Sequence, residues 1–443
     1  MRVVVVGAGV SGLAAATFLA ARGADVTVLE AGSRAGGNTQ TTRAHGYVVD
    51  HAANGWLDSE PAMDRLLQAA GLVDQIQPAS DRYNRRWIFA DGVVHPLPGS
   101  PRAFLGSGLL SWSQKLRMLC EIVVSRGGHP DESVGAFARR RLGQAAVDRL
   151  VAPMVAGIFG GDADDISLEA AFPRMAALER EHRSLILAMI RLGRGGAPAG
   201  RLQTLAGGAG ALPEALSAQL GARVRCGAPV DRIERLGERW RVCTPGGAVD
   251  ADAVVLATPA FAQASLVDRL DPDGAAALNA VPYAPIAVVA LAWPPGAFDR
   301  PPDGFGVLAA RGADLGVLGA LYASCIYPAQ APDGHVLVRL MLGGAVDPAA
   351  AALEPPAREA RAVAAVVRLL GEPRFGPAHT WQFHHPRGIP QYRPGHRARV
   401  GRVRTAEARL PGLFFTGNHL DGIGVKDCAR DAERVTDAVL GRR

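Results

Sequence analysis

The chain has 443 residues, of which 48% are hydrophobic and 20% charged, and a formal net charge of +6. That is apolar material for two or three packed domains and excludes a disordered chain. The basic residues are scattered and nearly all arginine, as in a GC-rich coding sequence, so the excess points away from nucleic acid and at most toward an anionic surface or substrate.

Residues 3 to 30, VVVVGAGVSGLAAATFLAARGADVTVLE, predict a strand, a glycine turn, a helix, a second strand and a closing carboxylate. Gly7 allows the tight turn, Gly9 lets backbone approach a pyrophosphate, Gly12 lets the helix meet the strand, and Glu30 is placed to accept from a ribose diol. The pyrophosphate charge would sit on the helix N-terminus. Arg34, Gly36 and Gly37 follow at once, a second glycine turn that would bring the chain back against the same dinucleotide.

A short helix and a hairpin turning at Asp91 and Gly92 fill residues 59 to 92. From 93 to 199 the apolar spacing is helical, and GRGGAPAGRL reads as a linker. Strands return at ARVRC, PVDRIERL, RWRVC and DAVVLAT, and long ones at PIAVVALAW, LGVLGALYAS and HVLVRLML. A helix near 356 to 370 precedes the strand LFFTG and the amphipathic helix VKDCARDAERVTDAVL. The last strand and helix would rejoin the first sheet. An α/β fold follows: a discontinuous Rossmann-like dinucleotide domain (1–58, 200–265, 398–443), a mixed-sheet substrate domain (59–92, 266–397) and an inserted helical domain (93–199).

Five cysteines without paired spacing argue against a disulfide framework or a zinc site and suit a reducing compartment. The N-terminal apolar stretch is a strand, not a signal peptide, and no apolar run approaches the ~20 residues of a membrane span. A cytoplasmic protein is expected. Phe104, Leu105, Leu109, Leu110 and Trp112, beside Arg102, Lys115 and Arg117, could lie on a membrane surface or equally pack on the core. His379, His384 and His385 lack metal spacing, and HHPRG is read as lying beside a proline turn.

The opening resembles the FAD-binding unit of the amine oxidase superfamily of flavoproteins. Five stretches in order resemble the protoporphyrinogen oxidase family within it: GIFGGDADDISLEAAFPRM, ALPEAL, LGALYASCIYPAQAP, GIPQYRPGH and GNHLDGIGVKDCARDA. Phe159 and Gly160 stand where the family has tyrosine and alanine, and the turn Ala52, Ala53, Asn54, Gly55 keeps only the asparagine of a GPNSF-like segment. The resemblance implies noncovalent FAD held by Gly7, Ala8, Gly9, Val10, Ser11, Gly12, Glu30, Ala31, Gly37, Asn38, Ala52 to Gly55, Val230, Ile423, Gly424 and Val425. It implies a porphyrinogen walled by Leu308, Tyr327 and Gly157, with Arg86 on a propionate.

The implied reaction is the six-electron oxidation of protoporphyrinogen IX to protoporphyrin IX in haem biosynthesis, as three hydride transfers to the flavin. O2 would be the acceptor, giving H2O2. The flavin does the chemistry, so no catalytic side chain is assigned. Coproporphyrinogen III, an amine or a carotenoid are alternative substrates, and an FAD-less prenyl-binding escort is the alternative outside enzymes. A membrane surface and ferrochelatase are the possible partners, in a monomer or homodimer.

Overall fold

A computed structural model describes residues 1–125, 127–129, 131–192 and 200–441. Most of the expected linker, 193 to 199, lies outside them. Five parallel strands form the first sheet, in the spatial order Val224–Arg225, Asp25–Leu29, Arg2–Val6, Ala253–Leu256 and Leu413–Phe415. Their alternation serves two cores. Val3, Val5, Val26, Val28 and Val255 face the helices Val10–Ala21, Pro61–Ala69, Ala211–Leu220 and Val425–Val439, while Val4, Val6, Val254 and Leu256 face the opposite core. The fold is mixed α/β with the last strand and helix closing the first sheet.

The second large sheet has seven strands: His379–Pro390, Tyr283–Trp293, Val336–Gly343, Gly319–Leu321, Gly306–Ala309, Arg86–Ala90 and Val93–Pro96. All its pairs are antiparallel except Gly306–Ala309 with Arg86–Ala90. The hairpin turns as expected, with Asp91 and Gly92 both at positive φ, +52° and +76°. One face of the sheet packs Val289, Leu291, Val338 and Leu340 under the helix Pro355–Leu370. The other carries Val288, Leu308, Leu321, Arg339 and Met341, and faces the rest of the molecule.

Two expectations are corrected. The long strand over LGVLGALYAS shrinks to Gly319–Leu321, because Gly316 bends the chain at φ +78° before it and the helix Ala323–Ile326 follows. HHPRG is not beside a turn but inside the strand His379–Pro390. Pro386 is tolerated there because this is the sheet edge, where no ladder bond needs its missing N–H, and the pairing shifts register at Ala284/Ile286.

The segment 101 to 192 is helical, as expected. It centres on Phe137, Val155, Phe159 and Ile166. Among the described residues, no helix is long and apolar enough to cross a membrane.

Candidate functional site

The first turn has the shape a pyrophosphate needs. Gly7 sits at φ +102°, and a Cβ on Gly12 would lie 1.9 Å from the Gly7 carbonyl oxygen, so helix and turn touch backbone to backbone. A Cβ on Gly9 would meet nothing within 4 Å. Helix Val10–Ala21 has no side-chain cap, leaving first-turn N–H groups, through Val10 and Ser11, for an anion. The second glycine turn returns as the sequence implied: the Gly36 N–H donates to the Ala8 carbonyl at 2.8 Å, and Gly9 bridges Gly36. Gly37 has φ +56°, and a Cβ on it would lie 3.3 Å from the Gly9 Cα.

Glu30 accepts from the backbone N–H groups of Ala8 and Gly32, both at 2.7 Å, and each oxygen keeps a lone pair for a diol. Ala31 and Asn38 are exposed. Open space over Gly9 and a double glycine turn fit a dinucleotide.

A buried polar group that sequence reasoning missed supports the next turn. Asp50, fully buried, accepts from the Thr41 hydroxyl at 2.6 Å, the Ala209 N–H at 2.8 Å and the Gln330 amide at 3.3 Å. Burial pushes its carboxyl above the usual range, opposed by the Arg339 guanidinium and these hydrogen bonds. Arg339 Nη2 donates to the Ala52 carbonyl at 2.8 Å and so holds the segment Ala52, Ala53, Asn54, Gly55. A Cβ on Gly55 would fall 2.4 Å from the Gln203 carbonyl oxygen and 2.5 Å from the Tyr327 hydroxyl, so only glycine closes this turn. Tyr327 is therefore buried behind the turn, among Ala79, Ile326 and partly buried Phe305 and Leu321.

The C-terminal motif caps its own helix. Gly424 precedes Val425–Val439, Gly422 has φ +138°, and Asp427 accepts from the Gly424 N–H at 3.2 Å. Ile423 packs on the Phe137–Phe159 cluster. Tyr392 joins two of the motif stretches, donating to the Asn418 carbonyl at 2.6 Å and accepting from the Gly422 N–H at 2.9 Å. Gln391 joins a third through the Phe159 carbonyl at 2.7 Å. Cys428 is buried and its thiol pushed up to about 12 by burial, which leaves it unreactive toward a flavin. Val230 lies outside any strand and packs at the edge of the second core.

The apolar wall beyond is formed by Ile286, Val288 and Leu318, with Ala156, Met341, Phe383 and Ile389 against them. Gly157 and Leu308 meet there: a Cβ on Gly157 would lie 2.9 Å from Leu308 Cδ2. Gly160 must be glycine in this chain, since its φ is +57° and a Cβ would stand 2.7 Å from Ile286 Cδ1. Arg86 is exposed, its guanidinium 5.1 Å from the Phe305 ring centre, while its neighbour Arg85 is ion-paired to Asp303.

The histidines stack instead of ligating: His45 on His379 at 4.2 Å and His51 on Phe383 at 3.7 Å. Burial holds His51 at about 4. No group of three potential metal ligands occurs among the described residues.

In the helical segment, Leu109 and Leu110 are buried, Phe104 is half-buried, and Leu105 and Trp112 are exposed. Trp112, Leu116 and Leu119 share one face of the helix Trp112–Leu119 at 70, 63 and 46% exposure, and Val123, in the 3-10 turn that follows, is 75% exposed. Lys115 instead turns inward, donating to the Leu105 and Ser107 carbonyls at 2.7 Å.

Residues 10–440 match the profile of flavin-containing amine oxidoreductases. A protein of Propionibacterium freudenreichii named coproporphyrinogen III oxidase is 34% identical, over 99% of this chain and 90% of that one. The human protein named protoporphyrinogen oxidase is 31% identical, over 99 and 98%. A solved structure from Exiguobacterium sp. 255-15, described as "putative protoporphyrinogen oxidase", superposes with a TM-score of 0.88 at 26% identity, covering 100 and 99% of the two chains. With these matches and the double glycine turn, the chain belongs to the flavin-containing amine oxidoreductase family, as an FAD-dependent oxidase.

Proposed function

We propose that this oxidase acts on a porphyrinogen of haem biosynthesis and that coproporphyrinogen III is its substrate, oxidised to coproporphyrin III. The observation that carries the porphyrinogen reading is the juxtaposition of an apolar wall with an arginine. Half-buried Leu308 and Met341, backed by buried Ile286, Val288 and Leu318, offer a flat macrocycle an apolar face, and Arg86 stands exposed two residues before Ile88, the parallel partner of Leu308. The Propionibacterium relative bears the coproporphyrinogen name, and the chain's positive net charge favours the substrate with four propionates over the one with two. Protoporphyrinogen IX, the substrate expected from the sequence, is the second reading, favoured by the name of the human relative.

Bound FAD supplies the two-electron oxidation at each of the steps. The chain supplies position and a dry site. The glycine turns at Gly7 to Gly12 and Gly36–Gly37 hold the dinucleotide half, with Glu30 on a ribose. The turn Ala52–Gly55, backed by Arg339 and Tyr327, borders the redox half. Arg86 engages a propionate with its planar fork and so fixes which edge of the ring enters. Leu308 packed on Gly157 excludes water behind it.

No side chain in this wall is placed to act as a base, and none is required. O2 is the proposed acceptor. The test is a panel of anaerobically prepared porphyrinogens opened to air, with porphyrin fluorescence as the readout. Faster colour development from coproporphyrinogen III supports the proposal, and a reversed preference establishes the second reading.

A further inference from the structure

Arg311 stands just past the end of strand Gly306–Ala309, three residues after Leu308, and gathers three carboxylates of the helical segment. Its Nη1 donates to Asp164 at 2.7 Å, its Nη2 donates to Asp162, and its Nε lies 4.0 Å from Asp148. Its backbone N–H also donates to the Asp148 carbonyl at 2.8 Å. Asp164 in turn accepts from Arg139 at 2.8 Å, which brings in the helix Val134–Leu142. Burial pushes the Asp164 carboxyl up, but the hydrogen bonds from Arg311 and Arg139 outweigh it and hold the group below the usual carboxylate range. One residue of the sheet side therefore ties down the helical segment at several points.

Apolar packing cannot replace this tie. Beside it, helix Ala152–Phe159 and the sheet leave between them a cavity of about 240 Å3, with Ala152, Ala156, Ala309 and Gly343 in its walls. Small side chains around a void make few dispersion contacts, so this border is slack. The contact that closes it is Gly157 on Leu308, five residues before Asp162 on one side and three before Arg311 on the other. Next to that contact Ile158 is 44% exposed and Met154 half-buried, so open apolar surface continues from Leu308 onto the helix.

We infer that Arg311 is a positioning residue: its clamp on Asp148, Asp162 and Asp164 fixes the spacing between the helical segment and the apolar wall, and so the width of the slot that a flat macrocycle enters. The inference rests on the porphyrinogen reading of that wall and adds the residue that sets its width. Without the Arg311 guanidinium, three carboxylates share the single cation of Arg139 beside a slack border, and their repulsion favours a wider slot. A substrate then binds only the fraction of molecules whose spacing is right, and its apparent affinity falls by that fraction. None of the clamp residues belongs to the glycine turns or to Ala52–Gly55, so FAD binding is untouched.

The experiment compares Arg311→Met, Arg311→Lys and Arg361→Met as FAD-bound holoenzymes. Arg361 is the control, since it borders the same cavity but bonds Asp347 and the Gly316 carbonyl, both on the sheet side. In Arg311→Met, amide hydrogen exchange measured without substrate should speed up at least about fivefold over residues 152–159 and 306–309. The KM for coproporphyrinogen III, or for protoporphyrinogen IX if that is the better substrate, should rise on the order of tenfold, while kcat and FAD affinity stay within about twofold. Arg311→Lys should recover Tm better than KM, because an ammonium keeps the charge but cannot span two carboxylates.

A lower Tm with unchanged KM makes the clamp structural only and overturns the inference. A KM that rises equally in Arg361→Met also overturns it, by assigning the effect to the cavity, as does a loss of FAD affinity that matches the rise in KM. If Arg311→Met does not fold, Arg311→Lys decides: wild-type exchange and KM overturn the inference, and faster exchange with a raised KM sustains it. A wild type that oxidises no porphyrinogen refutes the substrate reading instead, and the substrate-free exchange still decides whether Arg311 governs the Gly157–Leu308 contact.

Discussion

Gly9 and Gly12, three residues apart in the same turn, should fail in opposite ways when enlarged. At Gly12 a Cβ would lie 1.9 Å from the Gly7 carbonyl oxygen and 3.1 Å from the Ala257 Cβ, so the helix must back off by about 1 Å in an interior that does not yield. Overpacking of this kind costs ~1–3 kcal/mol before any cofactor is considered. At Gly9 the space is open and the backbone, at φ −72° and ψ 177°, admits any residue. Gly9→Val should therefore leave the apoprotein within about 0.5 kcal/mol of the parent. The valine side chain would occupy the pyrophosphate space, weakening FAD about 100-fold or more, some 3 kcal/mol.

The assay is a thermal melt of each apoprotein beside an FAD titration. Gly12→Ala should lower both the melt and the affinity, and Gly9→Val only the affinity. A yellow Gly9→Val protein, or a Gly12→Ala apoprotein as stable as the parent, would refute the assignment of contact to one glycine and approach to the other.

Arg86→Ala should raise the KM for porphyrinogen roughly 10- to 100-fold, the ~1.5–3 kcal/mol of a charge-assisted bond, and leave the flavin spectrum unchanged. Arg85→Ala, which removes only the exposed pair with Asp303, should do little in the same kinetics. Acid precipitation should release the flavin into the supernatant, since Cys428 is buried and protonated. Flotation with anionic vesicles should carry the protein upward through Trp112, Leu116 and Val123, and a Trp112→Ser/Leu116→Ser variant should stay at the bottom; equal sedimentation of both excludes the membrane face.

Burial holds His51 at about 4 and His419 at about 3, below the ordinary 6.5, so unfolded chains take up these protons first. Stability from both is complete above pH 6.5 and lost as pH falls toward 4 and 3, and His419→Asn should flatten the Tm profile across that window.

The nucleotide turn could be read from sequence because its geometry is local: strand, glycines, helix and carboxylate lie within thirty residues, each dictated by backbone sterics. The buried group around Asp50 could not. Its Gln330 partner is 280 positions away and the Arg339–Ala52 bond spans 287, while Arg339 hides in HVLVRLML, a run that reads as an apolar strand. A lone arginine in such a run was the available sign.

Helix His396–Arg409 was also missed, since its arginines mask the few apolar positions, Val403 and Ala406, that bury. The GIPQYRPGH stretch was legible as a motif but not as a tie. Only the fold shows Gln391 and Tyr392 bonding two other motif stretches together.

The closure of the first sheet by Leu413–Phe415 and helix Val425–Val439 sets an order on biosynthesis. Strand Ala253–Leu256 has one neighbour from residues 2 to 6 and the other from 413 to 415, and helix Val10–Ala21 lies against the last helix. Until residues 413 to 439 leave the ribosome, the cofactor-binding half exposes a bare strand edge and an uncovered apolar helix face. Such a chain depends on long-range closure and is open to aggregation meanwhile. Cofactor capture is then a late event, and the nascent oxidase cannot hold a redox-active flavin before its own scaffold is complete.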